Sequence, residues 1–226
     1  MAGACRPDSA WQPTVKRYDH IIWDWNGTLL NDVHLCVDVI NGMLRTRRMR
    51  EIDASTYKDI FDFPVQTYYQ RLGFDFSAEP FETLAAEYCA QYETRMRECE
   101  LHTDTVFILD EMSKRGLMQS ILSASEQQWL SGALTHFEIA SYFQETVGLS
   151  NRYAKGKIEA GRALVERVGI GPSRTLLVGD TAHDRDVAAE LGVGCVLIAH
   201  GHHSKQRLEA VHHHVVESLG VIVGLT

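Results

Sequence analysis

The sequence predicts an α/β fold, a Rossmann-like parallel sheet with helices on both faces plus an inserted all-helical domain, and three observations carry that reading. In the apolar and aromatic segment 18–25, the short continuous run Ile21-Ile22-Trp23 leads directly into Asp24 and a polar turn, as a buried parallel strand does. Between 31 and 99 the apolar residues recur at helical spacing. From 105 onward strand and helix patterns alternate, which implies right-handed crossovers and a sheet covered on both faces.

In chain order, the first strand sets Ile21, Ile22 and Trp23 directly before Asp24, and Gly27 then turns the chain. In the next block Val33, Cys36, Val37, Ile40 and Leu44 keep to one helical face, as do Phe81, Leu84, Tyr88, Tyr92 and Met96. Pro64, Gly73 and Pro80 cut this block into shorter helices, and nothing in it predicts a strand. Downstream, 105–114 reads as helix, 117–123 as strand, 126–136 as helix, 143–149 as a short strand and 157–168 as helix. The run 174–178 is a strand ending on Gly179-Asp180, 184–191 is helical, and 195–199 is strand again. The expected organisation is a loose lead-in at 1–16, a Rossmann-like core from 17–31 and 102–226, and a helical domain at 32–101.

Composition narrows the function. The chain has 226 residues, 45% hydrophobic and 23% charged, which fits one globular core with an insertion and excludes a disordered or collagen-like chain. No apolar stretch approaches the roughly 20 residues a membrane helix needs, so no membrane partner is expected. A net charge of −8 argues against nucleic acid, whose phosphates recruit Lys and Arg clusters. The one basic cluster, Arg45, Arg47, Arg48 and Arg50, reads as a solvated helix end. Met1 to Pro13 lacks the basic-then-apolar layout of a secretory signal. Five scattered cysteines without CxxC spacing read as reduced thiols of a cytoplasmic protein, a monomer or homodimer. His200, His202 and His203 read as a surface loop, and 212–214 as a strand-adjacent stretch, neither a metal centre.

In a parallel α/β sheet, ligands bind outside the carboxyl ends of the strands. Asp24, Ser123 and Asp180 each end a predicted strand and so converge there. A carboxylate at Asp24, followed by Gly27-Thr28, is placed to attack phosphorus and split hydrolysis into two displacements. Such chemistry needs a divalent cation, and Mg²⁺ prefers oxygen donors; Asp180 and Asp184 supply them, Asp184 doubling as a helix cap. The Ser123 hydroxyl and the backbone N–H groups from Ala124 onward form a phosphoryl cradle. Lys155 or Lys157 supplies the countercharge. A lysine at a helix start opposes the helix dipole and so points to an anionic partner.

The segment Asp24-Trp25-Asn26-Gly27-Thr28-Leu29, the strand-ending Ser123, a lysine before a helix, and Gly179-Asp180 with Asp184 resemble, in that order, the four motifs of the haloacid dehalogenase superfamily. The resemblance runs from Tyr18 to the C-terminus and is nearest to the phosphoglycolate phosphatase-like branch, with the helical block as its cap domain. It implies a nucleophilic Asp24 and Mg²⁺ held by Asp24, Asp180 and the backbone carbonyl of Asn26. It further implies Thr28 and Ser123 on the phosphoryl group, a pairing lysine, and a small phosphorylated metabolite as substrate. Lys155 and Lys157 each fit one branch of the superfamily; the helix pattern, beginning at 157, favours Lys157.

Asn26 departs from that pattern, because phosphatases of the superfamily carry an Asp there as general acid and base. An amide exchanges no proton at neutral pH, and general acid–base catalysis contributes ~10²–10⁴-fold. A phosphatase acting on esters with good leaving groups, or one using His183 or a cap residue as donor, is the leading reading. A phosphonate or other C–X bond hydrolase, for which Lys58 is the one cap lysine, and a catalytically weak phosphate-ester binder are the alternatives. The aromatic segment 61–69 reads first as packing within the cap, with Arg71 a candidate for an anionic substrate tail.

Overall fold

The computed structural model describes residues 18–149 and 156–225. Strand β1 (His20–Trp23) is buried along its whole length. It leads through the turn at Gly27 to β2 (Leu30–Asn31) and the helices α1 (Val33–Thr46), α2 (Ala54–Ile60), α3 (Val65–Leu72) and α4 (Phe81–Arg95). The chain returns through β3 (Glu100–Leu101), α5 (Thr105–Lys114), β4 (Met118–Glu126), α6 (Gln127–His136) and β5 (Glu145–Leu149). Then come α7 (Lys157–Val168), β6 (Thr175–Gly179), α8 (Ala182–Leu191), β7 (Gly194–Ile198), α9 (Lys205–Val211) and β8 (Val215–Val216).

Six strands form one sheet in the order β5-β4-β1-β6-β7-β8, with every pairing parallel. Successive side chains of β1 point to opposite faces, and the core divides accordingly. Ile21 and Trp23 join the cluster that continues into α1 and α5, whereas Ile22 packs with Leu122, Leu164, Leu177 and Val187 on the other face. Burial on both faces explains why this strand reads as a continuous apolar run. Each such side chain contributes roughly 1.5–3 kcal/mol.

Two departures from the sequence expectation matter. Leu30–Asn31 pairs antiparallel with Glu100–Leu101, a small ribbon where the chain enters and leaves the helical block. Two residues are too short to show a period, so no strand was legible there. Strand β4 also runs three residues past Ser123 to Glu126, with a register irregularity between Leu122 and Glu126. Ser123 therefore sits inside a strand rather than at its end, and Ala124 does not open a helix. No helix among the described residues is long and apolar enough to cross a membrane.

Candidate active site

Strands β1 and β6 are neighbours at the centre of the sheet, so their carboxyl ends deliver Asp24 and Asp180 side by side. The backbone of Asp24 is fixed by its N–H donating to the Val178 carbonyl at 2.8 Å. Asp184 joins them from the first turn of α8, and carboxylate oxygens of all three lie within 4.8 Å of one another. Lys157, the first residue of α7, donates to Asp24 Oδ1 at 2.5 Å and to Asp184 Oδ1 at 2.6 Å. The other oxygen of Asp184 accepts from the Thr181 backbone N–H at 3.0 Å and its hydroxyl at 2.7 Å. Asp184 therefore caps α8 with one oxygen and holds the lysine with the other.

All four side chains are buried. Burial, with further repulsion from Asp184 and Asp180, pushes the Asp24 carboxyl well up despite Lys157. Asp180 is raised to about 6, chiefly by burial. Burial also works against the charges of Asp184 and Lys157, but their mutual attraction outweighs it, holding Asp184 low and Lys157 high. Three carboxylates face one ammonium, and that excess of negative charge in an oxygen-only donor set fits a divalent cation.

Two glycines let the backbone approach this cluster. Gly27 has φ +73°, and a Cβ there would meet the Asp180 carboxylate and the His202 ring. A Cβ at Gly201 would run into the same carboxylate. With that space open, Asp180 accepts from the Thr28 hydroxyl at 2.9 Å and the His202 backbone N–H at 2.6 Å.

A second buried network surrounds Asn26. Its Nδ2 donates to Asp32 Oδ2 and to the Tyr92 oxygen, both at 2.8 Å, and its Oδ1 accepts from Ser125 Oγ at 2.6 Å. Asp32 Oδ2 also accepts from Tyr92 at 2.6 Å, and Oδ1 from the Gly27 backbone at 2.9 Å. His202 Nε2 lies 3.3 Å from Asp32 Oδ1, and its Nδ1 is 3.0 Å from the Tyr57 hydroxyl. Burial opposes both charges, yet the His202 charge and the surrounding hydrogen bonds hold Asp32 at about 2. Burial likewise opposes the imidazolium, and Asp32 outweighs it, raising His202 to about 9. Asp32 and His202 form a buried ion pair.

The structure brings Asp24, Asp180, Asp184 and Lys157 together as the sequence predicts. Other expected residues stand differently. The Ser123 hydroxyl is buried and accepts from the Ser125 N–H at 3.0 Å; Ala124 and Ser125, not Ser123, line the cavity beside Asp24. Thr28 faces Asp180 rather than that cavity. Lys155 lies outside the described residues. His183 lies tilted against Phe63 and is not part of the cavity wall, and Lys58 donates to the His200 carbonyl at 3.3 Å outside it. Arg71 is tied to Asp62 and the Ile60 carbonyl. His202 and His203 are buried, not part of an exposed loop. Sequence reasoning missed Asp32, which reads as a helix cap, and His202. The rule that found Asp24, a polar residue just past a strand's carboxyl end, also applies to the residues after β7.

Fold and site together define a parallel-sheet α/β protein with a cluster of buried carboxylates at the carboxyl ends of its central strands. The haloacid dehalogenase-like hydrolase family model matches residues 21–198, and the chain belongs to this family. The phosphoglycolate phosphatase of Synechococcus elongatus is 24% identical, over 84% of this chain and 88% of its own. The pyrophosphatase PpaX of Bacillus velezensis is 26% identical, over 76% of this chain and 78% of its own. The crystal structure of a predicted phosphatase from Clostridium acetobutylicum aligns with a TM-score of 0.79 over 92% of this chain and 97% of that one. Its sequence identity is 18%, so the likeness concerns the fold.

Proposed function

We propose that this protein is a Mg²⁺-dependent hydrolase of small phosphorylated metabolites that works through an aspartyl-phosphate on Asp24. The observation that carries the reading is Asp24 itself: its carboxylate is held by Lys157, clusters with Asp180 and Asp184, and opens on a cavity of about 180 Å³. The two relatives named as phosphatases support it. Lys157 holds Oδ1, which leaves Oδ2 to attack phosphorus while the bond to the leaving oxygen breaks. Water then attacks the acyl phosphate, and Asp24 is regenerated with release of phosphate. Asp24, Asp180 and the Asn26 carbonyl would hold the Mg²⁺, with Asp184 near by. When bound, the ion neutralises charge on the transferring phosphoryl group. The core at 17–31 and 102–226 carries this site, with the helical block at 32–101 as a cap over it.

Asn26 donates no proton, and each polar atom of its side chain is already engaged. The favoured substrates are therefore those whose leaving group departs unprotonated. Phosphonate hydrolysis through a cap lysine is disfavoured, since Lys58 lies outside the cavity. The direct test is phosphate release from acetyl phosphate with Mg²⁺ and with EDTA. Mg²⁺-dependent turnover is expected; calorimetric binding of a phosphate ester without turnover would instead make this a binding protein.

Two further outcomes follow from the charges. Ligation requires ionised carboxylates, while Asp24 and Asp180 are raised. A raised carboxyl favours the folded state at low pH, and that contribution is lost as pH rises through about 6. Mg²⁺ is therefore expected to raise the melting temperature more at pH 8 than at pH 5.5 by scanning fluorimetry, the added stability reaching ~3 kcal/mol at about 100 times the Kd. Asn26→Asp sets a second carboxyl where Nδ2 now lies 2.8 Å from Asp32 Oδ2, so the pair must share a proton. The variant is expected to be destabilised by roughly 2 kcal/mol at pH 8 and to recover towards pH 5. Any gain on alkyl phosphates should appear at the acidic end, where the new carboxyl carries its proton.

A further inference from the structure

We infer that the substrate is an aryl phosphate monoester whose ring seats in the aromatic cavity between Asp24 and the helical block. This deepens the hydrolase reading above and rests on it. Two independent features of the site lead to the same chemistry, one from the cavity wall and one from the reacting end.

The wall is built of rings. Phe61, Phe63, Tyr68 and Trp129 line it, together with Asp24 and Lys157. Phe61 meets Phe63 edge-on at 5.4 Å and Tyr68 at 5.3 Å, so these rings hold one another in place, and a further ring can pack on them edge-to-face or offset. The volume, about 180 Å³, suits one ring, since an apolar cavity of about 150 Å³ accepts benzene. The Tyr68 hydroxyl is buried without a hydrogen-bond partner among the described residues, a donor or acceptor for a ring substituent.

Charge among the described residues argues against a substrate with a second anionic group. Among the described residues lining the cavity, the cations are Lys157, held between Asp24 and Asp184, and His202, held by Asp32. Arg71, the candidate for an anionic tail, pairs with Asp62 instead. A second anionic group on the substrate would be buried among rings without a partner, at a large desolvation cost.

The reacting end gives the same answer. Asn26 supplies no proton, and both ring nitrogens of His202 are engaged, Nε2 with Asp32 and Nδ1 with the Tyr57 hydroxyl, so the leaving oxygen carries away its electron pair as an anion. A phenol ionises near pH 10, as tyrosine does, whereas an alkanol is several units weaker and needs protonation. In the first step the P–O(aryl) bond breaks as the Asp24 carboxylate bonds to phosphorus, and the aryloxide departs. In the second, water cleaves the aspartyl-phosphate, and the proton water gives up balances the one the aryloxide takes from solvent. The sum is an aryl phosphate and water giving a phenol and inorganic phosphate.

The test compares the full chain, with Mg²⁺, on phenyl phosphate, benzyl phosphate, 2-phosphoglycolate and acetyl phosphate. The expected kcat/KM for phenyl phosphate exceeds that for 2-phosphoglycolate by at least ~10²-fold. Benzyl phosphate keeps the ring but leaves as an alkoxide, so its KM should match that of phenyl phosphate while its kcat falls. Val65→Arg, which adds a cation to the cavity wall, should shift the selectivity about tenfold towards 2-phosphoglycolate through KM. Turnover of 2-phosphoglycolate as fast as phenyl phosphate, or a benzyl phosphate KM no better than that of 2-phosphoglycolate, overturns the inference. Hydrolysis of acetyl phosphate without phenyl phosphate also overturns it and leaves the hydrolase reading standing. Failure on all four substrates removes both.

Discussion

Asp24→Asn is expected to abolish phosphate release, by at least ~10³-fold, while leaving the melting temperature unchanged or higher. The amide keeps an oxygen for Lys157 but attacks phosphorus no better than solvent does. Stability moves the other way because the native carboxyl is pushed well up by burial and by Asp184 and Asp180. A group whose folded value is raised weakens the fold as pH climbs past its unfolded value near 4, and the substitution removes that cost. Melting curves in EDTA should therefore show the variant gaining on the parent between pH 5 and pH 8. A variant that retains most of its hydrolytic rate would sink the nucleophile assignment.

Asp32→Ala is expected to cost about 3–5 kcal/mol, enough to lower the melting temperature by about 10 °C. Removing this carboxylate leaves His202 charged and buried, and strips Gly27 N–H, Asn26 Nδ2 and the Tyr92 hydroxyl of their acceptor. The pH dependence identifies the mechanism. Asp32, held at about 2, stabilises above its unfolded value near 4, and that contribution is lost as pH falls through about 2. His202, raised to about 9, stabilises below its unfolded value near 6.5, and that contribution is lost as pH rises through about 9. The deficit of the variant should thus be greatest between about pH 4 and 6.5 and shrink above it. A deficit that stays flat from pH 5 to pH 9 would mean that the ion pair is not what is lost.

Much of this arrangement is legible in one dimension because the physics is local. The helix at 157–168 matches its predicted bounds, since apolar spacing and a flanking glycine mark both ends. Strand β1 announces itself through the consecutive apolar residues Ile21, Ile22 and Trp23, as burial on both faces favours. Asp24 and Asp180 follow from the rule that parallel strands present their carboxyl ends to ligands. Ser123 misled because the strand continues past it to Glu126, and an irregular register leaves no periodic trace. His202 and His203 misled because Gly201 and Ser204 carry turn character, although Gly201 serves to let the chain press against Asp180.

The sequence by itself determined the sheet and the order of its elements, singled out Asp24, Asp180 and Asp184, and narrowed their countercharge to Lys155 or Lys157. These depend on periodicity and on which residues end which strands. Only the tertiary structure decided what surrounds them: that Asn26 is locked between Ser125, Asp32 and Tyr92, that His202 reaches back to Asp32 from 170 residues away in the chain, and that the 61–69 segment walls the cavity over Asp24. Contacts of that kind join side chains from separate helices and loops, and no local spacing records them. Asp24 was readable from its strand; the company it keeps was fixed by packing.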